Sequence, residues 1–531
     1  MLEIFILSLF PVFLYLIFKS RKALHMLQQN WYDKDYRYFK WILKNPYRVF
    51  LENDMTFIIF TAFLFLDSKI SIFIFSVYYL LITYFYLQRI KKEQAKKPLV
   101  VTKRIRRLYV TILILYLIPA VTIALTFNIY YLTYYYLIIG ALVYLNYFVI
   151  MVANIFNKPF EKHVYHYYRI KAMKKLKNMP HLKVIGITGS YGKTSSKNIL
   201  SDILNIKYNA FPTPKNFNTP YGLINMINNY LDKFSEFLIA EMGAFKTGEI
   251  KELCDLVHPT YGILTTIGTA HLESFGSREN IQKTKFELIE SLPNDGVAVL
   301  NADDEYQLSY ELKNKCKVIW IGIDNKDADV VATNIKLSHN GTTFDCLFKG
   351  DKNKYKFETR LLGKANIYNI LASIALGKEL GLTIEQLQMG VLKVKPIEHR
   401  LELKKYGDIN IIDDAYNSNP VGSKMALEVL NLMPGKKIIV TPGMIELGSE
   451  QYELNLEFGK QIADVCDEVI LVGRKQTKPI YDGLMIKDYN EKHIYVINDV
   501  KEAIELMQKL KGKETYVLLE NDLPDIFNER K

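Results

Sequence analysis

Residues 183–195 read Lys183-Val-Ile-Gly-Ile-Thr-Gly-Ser-Tyr-Gly-Lys-Thr-Ser195. An apolar strand comes first, a glycine-rich turn follows, and Lys193-Thr194 open a helix that is predicted to run toward Ile206. Glycines let backbone N–H groups close around an anion, and the helix N-terminus adds partial positive charge. In such a loop Lys193 would reach the phosphates of a nucleotide and the Thr194 hydroxyl would hold Mg²⁺. The pattern therefore predicts a nucleotide phosphate loop.

The glycine spacing of this loop departs from the general phosphate-loop pattern. That pattern has glycine at position 187, where this chain has Ile187, with Gly186 and Gly189 on either side. The departure indicates a phosphate loop of a particular subtype. The alternative, a glycine-rich strand–helix turn without a ligand, is poorly matched by Gly-Lys-Thr at the start of a helix.

Composition divides the chain into an apolar part and a more ordinary part. The 531 residues suffice for several domains, 49% of them are hydrophobic, and the net charge is +12. Residues 1–155 are far more apolar than the rest and carry much of the excess Lys and Arg. We therefore interpret the basicity as membrane-flanking and expect no nucleic-acid partner. The four cysteines are widely spaced, which suits a reducing compartment without a structural zinc site.

The apolar part is predicted to cross a lipid bilayer about five times. The predicted spans are 2–18, 50–66, 70–88, 108–127 and 132–155. Basic loops follow the first and third spans, so the positive-inside rule puts the N-terminus outside and both loops in the cytoplasm. Everything from residue 156 onward then lies on the cytoplasmic face of the cell membrane. Residues 158–183 are basic and rich in Tyr and His, which is typical of an amphipathic helix on anionic headgroups or of a solvated linker.

Two polar residues follow the ends of predicted strands beyond the phosphate loop. Glu241 ends the buried strand Phe237–Ala240, and His271 follows the strand Tyr261–Ile267. Ligands bind outside the carboxyl ends of the strands in open α/β sheets. Glu241 is therefore the first predicted Mg²⁺ ligand, and His271 is the second. The loop 215–222 is interpreted either as an ordinary connection or as a loop that faces the substrate or phosphate.

Several ordered motifs between these points resemble those of the Mur ligase family. They are residues 186–194, 241–250, 270–277, Lys285 with the two residues that follow it, 365–372, 398–402, 413–420 and 442–448. The resemblance is strongest to the branch that adds D-alanyl-D-alanine to a muramoyl tripeptide. It implies an α/β fold with a phosphate-loop central domain and a Rossmann-like C-terminal domain, preceded here by an α-helical transmembrane domain. The predicted boundaries are 1–157 for the membrane domain, 158–182 for the basic segment, 183–396 for the central ATP-binding domain and 397–531 for the C-terminal domain.

The resemblance also implies roles for individual residues. Lys193, Glu241, His271 and Lys285 would be catalytic, and Lys285 would be carbamylated. Two Mg²⁺ ions would be held by Thr194, Glu241, His271 and Lys285. ATP would be bound by Gly189, Ser190, Gly192, Lys193, Thr194, Ser195, Asn301, Asn369, Arg400, Asp414, Tyr416 and Asn417. Of these, Asn301 and Asn369 would lie near the adenine, Arg400 would reach the phosphates, and the last three would close over the nucleotide.

The activity implied by the resemblance is amide-bond formation through an acyl phosphate, in the synthesis of cell-wall peptidoglycan or another envelope polymer. Two departures leave the substrates open. Membrane spans stand where the family has a uridine-nucleotide domain, and residues 519–524 replace a Lys-Gly-Ser-Arg-like stretch. The amine donor would be an amino acid or dipeptide, and the carboxylate acceptor would be uridine-linked, lipid-linked or polymeric. Alternatives are a ligase similar to poly-γ-glutamate synthases, an ATP-driven membrane transporter and an inactive scaffold.

Overall fold

The computed structural model of the chain describes residues 2–50, 53–60, 62, 68–92, 98–215, 217–268, 272–415, 419–445, 447–498 and 500–522. Internal contacts divide these residues into two compact units, and the boundary falls between His166 and Tyr167. The first unit is helical, and the second contains two β-sheets with their helices.

The first unit is built from long apolar helices. Its α-helices are α1 Leu2–Gln29, α2 Arg37–Lys44, α3 Pro46–Val49, α4 Phe57–Phe60, α5 Ser68–Lys92, α6 Lys103–Leu125, α7 Leu132–Tyr144 and α8 Asn146–Lys177, of which α8 continues past the unit boundary. Three of them are long and apolar enough to cross a membrane, and the pair α7–α8, bent by 72°, brings the number to four if it forms a single span.

Four of the five predicted apolar runs lie mainly on helices of the structure. The first, third and fourth runs lie within or largely within α1, α5 and α6, and the fifth is divided by the bend after α7. In the second run, 50–66, the described residues include the short helix α4, and residues 51, 52, 61 and 63–66 lie outside the described part of the chain. The number of spans, their orientation in a bilayer and the basic segment 158–182 therefore stay predictions.

A buried ion pair links two parts of the first unit. The Lys19 ammonium of α1 contacts the Asp54 carboxylate, and both side chains are almost fully buried. The ammonium also donates to the Tyr144 carbonyl oxygen over 3.2 Å. Because an unpaired charge in apolar surroundings is costly, this pair favours the packing of α1 against the segment that contains Asp54.

The first sheet of the second unit is parallel over seven strands. Its strands are β1 Lys183–Thr188, β2 Ala210–Pro212, β3 Phe237–Glu241, β4 Tyr261–Leu264, β5 Val297–Asn301, β6 Lys317–Gly322, β7 Val330–Ser338, β8 Gly341–Phe348 and β9 Lys354–Thr359, in the order β2-β3-β1-β4-β5-β6-β7-β8-β9. The helices of this region are α9 Lys193–Leu204, α10 Pro220–Asn229, α11 Glu249–Val257, α12 Leu272–Phe275, α13 Arg278–Glu290, α14 Glu305–Leu308, α15 Lys364–Glu379 and α16 Ile384–Lys393. The predicted α/β class is confirmed.

The strand β1 is central because side chains from both of its faces are buried. Ile185 and Ile187 point into one core together with α9 and α15. The alternate residue Gly186 faces α13, where a Cβ atom would come within 2.5 Å of Leu288. The close packing of α13 on β1 therefore favours glycine at position 186.

The last three strands of the first sheet form an antiparallel meander that the sequence analysis did not predict. β7 pairs with β8 and β8 with β9 in antiparallel register. Along β8 buried and half-buried residues alternate for most of the strand, as expected when one face is covered. The two residues His339-Asn340 connect β7 to β8, and Ser338 pairs with Gly341 where the hairpin closes.

The second sheet lies in the C-terminal part of the chain. Its strands are β10 Glu402–Tyr406, β11 Ile409–Asp414, β12 Lys436–Thr441, β13 Glu468–Val472, β14 Ile494–Ile497 and β15 Thr515–Glu520, in the order β10-β11-β15-β12-β13-β14. Its helices are α17 Pro420–Asn431, α18 Gln451–Ala463, α19 Lys478–Ile486 and α20 Val500–Leu510.

Five strands of this second sheet are parallel, which agrees with the Rossmann-like domain that the resemblance implies, and one strand is antiparallel. β10 is antiparallel to β11. The two-residue connection Gly407-Asp408 has a positive φ at Gly407 (59°), which turns the chain back on itself. The antiparallel edge strand β10 is therefore an addition that the sequence pattern does not predict.

All four cysteines are buried in the second unit as free thiols. They are Cys254, Cys316, Cys346 and Cys466. Burial raises the pKa of Cys254 and of Cys346 to about 12. It also raises the pKa of the Cys316 and Cys466 thiols. These thiols are therefore protonated and shielded at neutral pH.

Candidate active site

The phosphate loop joins β1 to α9 in a conformation that depends on two glycines. Gly189 has φ 151° and Gly192 has φ 79°, and both values lie where L-residues are strained. A Cβ atom at Gly189 would also collide with the Thr265 hydroxyl. The ammonium of Lys193, the first residue of α9, donates to the carbonyl oxygens of Gly189 (2.7 Å) and Ser190 (3.0 Å). These two hydrogen bonds hold the Lys193 side chain against the backbone of the phosphate loop.

The residues after β4 fix the phosphate loop from the other side. Ser190 N–H donates to the Thr266 carbonyl oxygen over 2.7 Å. The Ser190 hydroxyl donates to the Gly268 carbonyl and accepts from the Gly268 N–H (3.2 and 2.9 Å). The Thr265 hydroxyl donates to the Tyr191 carbonyl oxygen. Ser190 therefore uses its side chain to fix the loop.

Glu241 ends β3 beside the loop and is surrounded by donors. Glu241 as a whole residue is 1% exposed. Its Oε2 accepts from the Thr194 hydroxyl (3.0 Å) and the Lys197 ammonium (3.1 Å), while its Oε1 accepts from the Asn218 amide (3.0 Å). The structure therefore brings together Thr194 and Glu241, the two residues predicted to hold a metal from the loop and the next strand.

Lys285 lies on α13 and is also buried at this edge. Its side chain is 3% exposed, and its Nζ is 5.7 Å from the centre of the Phe275 ring. Burial lowers the pKa of Lys285 well below the usual value, and the charge of Lys193 lowers it further. A neutral amine at this position is a nucleophile, whereas a charged one would repel nearby cations.

The C-terminal part contributes charged groups to the same region. Burial lowers the pKa of Lys193 to about 8; Glu241 opposes this shift and Arg400 adds to it. Burial also raises the pKa of Asp414 to about 6, although the charge of Arg400 acts in the opposite direction. One Asp414 oxygen accepts from the Leu401 N–H over 3.2 Å. Arg400 therefore lies within electrostatic range of the phosphate loop and of Asp414.

Three further predicted nucleotide-binding residues lie in the described part of the chain, namely Asn369, Ser195 and Asn301. A Cβ atom at Gly192 would meet the Asn369 side-chain oxygen at 3.0 Å, so Asn369 of α15 contacts the loop. Ser195 is in the first turn of α9. Asn301 ends β5, and its side-chain oxygen accepts from the Asp303 N–H over 3.0 Å. Asn301 therefore stabilises a turn there, and its contact with adenine stays a prediction.

Three predicted site residues lie outside the described part of the chain, namely His271, Tyr416 and Asn417. Among the residues that the structure describes, no group of three or more His, Cys, Asp or Glu side chains could hold a metal ion. Mg²⁺ does not need such a group, because it usually binds one or two protein oxygens together with phosphates and water. Thr194 and Glu241 supply oxygens of that kind, so the residues present fit a Mg²⁺–nucleotide site.

The sequence pattern does not single out Lys197, and it indicates Asn218 only as part of the loop 215–222. Lys197 lies three residues after Thr194, so both side chains leave α9 on the same face. Its ammonium donates to Glu241 and to the Lys215 carbonyl oxygen (2.7 Å). The helical spacing from Thr194 could have indicated this contact, but a lysine in a helix is usually exposed.

Comparison with known proteins identifies two matching domains. Residues 187–377 match the Mur ligase middle domain, and residues 399–520 match the Mur ligase glutamate ligase domain. Together the two matches cover more than half of the chain.

Relatives and solved structures agree with these matches. The UDP-N-acetylmuramoyl-tripeptide–D-alanyl-D-alanine ligase of Bacillus subtilis (strain 168) is 34% identical over 55% of this chain and 63% of its own length. The enzyme of the same name from Escherichia coli (strain K12) is 30% identical over 55% of this chain and 65% of its own. The chain thus matches less than two thirds of either relative. The crystal structure of MurF ligase from Thermotoga maritima in complex with ADP has a TM-score of 0.61 at 28% identity and covers 68% of this chain and 81% of its own.

Proposed function

This chain belongs to the Mur ligase family, and on that premise we propose that it is an ATP-dependent ligase that joins a carboxylate to an amine. The main support for this proposal is that the phosphate loop, the Thr194 hydroxyl and the Glu241 carboxylate lie together at one edge of the sheet. The solved relative that contains ADP supports a nucleotide at this loop. A simple ATP-driven transporter would not explain the Mur ligase C-terminal domain that supplies Arg400 and Asp414.

The proposed reaction has two steps. A carboxylate oxygen of the acceptor attacks the γ-phosphorus, the bond from phosphorus to the bridging oxygen breaks, and ADP leaves. The amine nitrogen then attacks the acyl carbon and loses a proton, and inorganic phosphate leaves. Lys193 and Arg400 would offset the negative charge on the phosphates, because positioning and electrostatics supply most of the catalysis in phosphoryl transfer. Mg²⁺ held by Thr194 and Glu241 would neutralise further phosphate charge.

We propose that Lys285 carries a carbamate in the working enzyme. A neutral lysine amine attacks the carbon of CO₂ and loses a proton, which leaves an anionic N-linked carboxylate. The burial of Lys285 and the proximity of Lys193 favour the neutral amine. The resulting anion would offset the charge of Lys193 and could serve as an additional oxygen ligand beside Glu241. His271 would complete the metal site.

We propose that the ligase is anchored at the cytoplasmic face of the cell membrane and acts in cell-envelope synthesis. Three helices that are long and apolar enough to span a bilayer support the anchor. The names of the relatives make the uridine-linked muramoyl tripeptide and D-alanyl-D-alanine the first substrates to test. Lipid-linked and polymeric acceptors come second, because apolar helices occupy the N-terminal part of this chain.

The test is phosphate release by the full-length protein in detergent with ATP and Mg²⁺. The muramoyl tripeptide nucleotide with D-alanyl-D-alanine is the first pair, and glutamate with a poly-γ-glutamate acceptor is the second. Phosphate release that requires both a carboxylate and an amine, with an amide product seen by mass spectrometry, supports the ligase. Release that no acceptor or amine changes would contradict it.

The pKa of Lys193 predicts how nucleotide binding depends on pH. In the ligand-free protein this pKa is about 8. Phosphates stabilise the ammonium, so the pKa of the bound form is higher and binding takes up a proton above pH 8. ADP affinity should therefore be constant at pH values below this pKa. Above it the affinity should decrease, with a slope that approaches about a tenfold loss per pH unit.

The pH prediction can be checked by calorimetric titration of ADP at saturating Mg²⁺ across this range, in two buffers of different ionisation enthalpy. The Lys193→Arg variant is the control, because arginine keeps its charge throughout. Its affinity should be lower but independent of pH. A wild-type affinity that does not change across the range would show that Lys193 is fully charged before the nucleotide binds.

A further inference from the structure

Lys197 forms a buried ion pair at the proposed metal site. Its ammonium is 3.1 Å from Glu241 Oε2, and the two side chains are each 2% exposed. The same oxygen accepts from the Thr194 hydroxyl. A cation held by Thr194 and Glu241 would therefore share its main ligand with an ammonium group. Like charges at such close range repel strongly where water is excluded.

The ion pair also connects three separate segments. Lys197 belongs to α9 and Glu241 to β3, and the ammonium donates to the Lys215 carbonyl oxygen over 2.7 Å. Asn218, from the same loop as Lys215, donates to the other Glu241 oxygen. Lys197 is thus a positive charge that balances the buried carboxylate and, together with Asn218, holds the loop against it.

We infer that Lys197 is a positioning residue that acts as a built-in counter-cation: it keeps Glu241 charge-balanced and aimed in the metal-free protein, and it raises the Mg²⁺ concentration that nucleotide binding requires. This inference rests on the proposed use of a Mg²⁺–nucleotide at the phosphate loop. A lysine with a purely structural role would stabilise the protein to the same extent with and without Mg²⁺.

The inference predicts a gain in Mg²⁺ affinity when the charge is removed. In Lys197→Met the buried carboxylate loses its counter-charge, so the metal-free protein should melt at a lower temperature than wild type. Mg²⁺ with ADP should restore most of that loss. The free Mg²⁺ that half-saturates ADP binding should fall by about fivefold or more, because the competing positive charge is gone.

The experiment measures ADP binding by full-length protein in detergent across a series of free Mg²⁺ concentrations, together with melting temperatures with and without Mg²⁺. Lys197→Gln is a second neutral variant, which keeps a hydrogen-bond donor. If Lys197→Met does not fold, the Mg²⁺ requirement of Lys197→Gln tests the inference. Lys197→Arg keeps the charge and should retain the Mg²⁺ requirement of wild type. Lys207→Met is the matched control, since Lys207 donates to a backbone carbonyl oxygen of Gly381 and is exposed.

The outcomes separate this inference from the proposed function. If wild type shows no Mg²⁺-dependent binding of ADP, the proposed function and the inference both fall. If wild type binds ADP with Mg²⁺ and the neutral variants need as much Mg²⁺ as wild type, or more, only the inference falls. A lower Mg²⁺ requirement in the neutral variants, absent from the Arg variant and from Lys207→Met, supports it.

Discussion

Lys193→Ala should reduce ATP-dependent phosphate release by about a hundredfold to a thousandfold. The Lys193 ammonium is already held over the loop by the Gly189 and Ser190 carbonyl oxygens, so it needs little reorganisation to meet a phosphate. Alanine removes this positive charge from the site at which the transferred phosphoryl group carries negative charge in the transition state. The measurement is the rate of phosphate release by full-length protein with saturating acceptor and amine.

Lys207→Ala controls for the loss of a lysine elsewhere in the same domain and should release phosphate at the wild-type rate. The melting temperature of Lys193→Ala should stay near that of wild type, because both hydrogen bonds described for the ammonium are made within its own loop. A variant with more than about a tenth of wild-type activity would contradict the role assigned to the loop.

Lys285→Ala should lose activity to a similar extent and regain part of it when short carboxylic acids are added. The buried amine has a strongly lowered pKa, which favours its reaction with CO₂. Alanine leaves a space where the carbamate would lie, and formate or acetate could place a carboxylate there. Phosphate release measured against the concentration of each acid would show the rescue.

Lys283→Ala, an exposed change on the same helix, is the matched control and should need no rescue. Intact-protein mass spectrometry under CO₂ should show one added carboxylate on wild type and none on Lys285→Ala. If Lys285→Ala keeps full activity, or loses activity that no carboxylic acid restores, the carbamate hypothesis is wrong.

The loop, the strand before it and Glu241 could be predicted from the sequence because each depends on local pattern. An apolar run, glycines and Lys-Thr at a helix start specify a phosphate loop without reference to distant residues. Because β1 and β3 are parallel neighbours, the end of β3 lies beside the loop. In the structure Ile187 of β1 pairs with Glu241 of β3.

The contacts that could not be predicted depend on packing between segments. Lys285 would have been assigned to the surface without the family resemblance, since nothing in its neighbourhood on α13 indicates burial. Lys197 was missed for the same reason. The β10–β11 hairpin depends on a two-residue turn at Gly407-Asp408, which local alternation of strands and helices does not predict.

The buried, protonated thiols give the protein a practical property: its native cysteines should react slowly with maleimides while it stays folded. A single introduced cysteine would then be the main labelling site in intact cells. Asn128→Cys lies in a connection predicted to be outside, and Lys103→Cys in one predicted to be inside; both positions are exposed. A membrane-impermeant maleimide should label the first and spare the second, and the reverse pattern would invert the predicted orientation. Single cysteines can therefore be introduced into the wild-type chain, without removing its native cysteines, to find which side of the membrane each position faces.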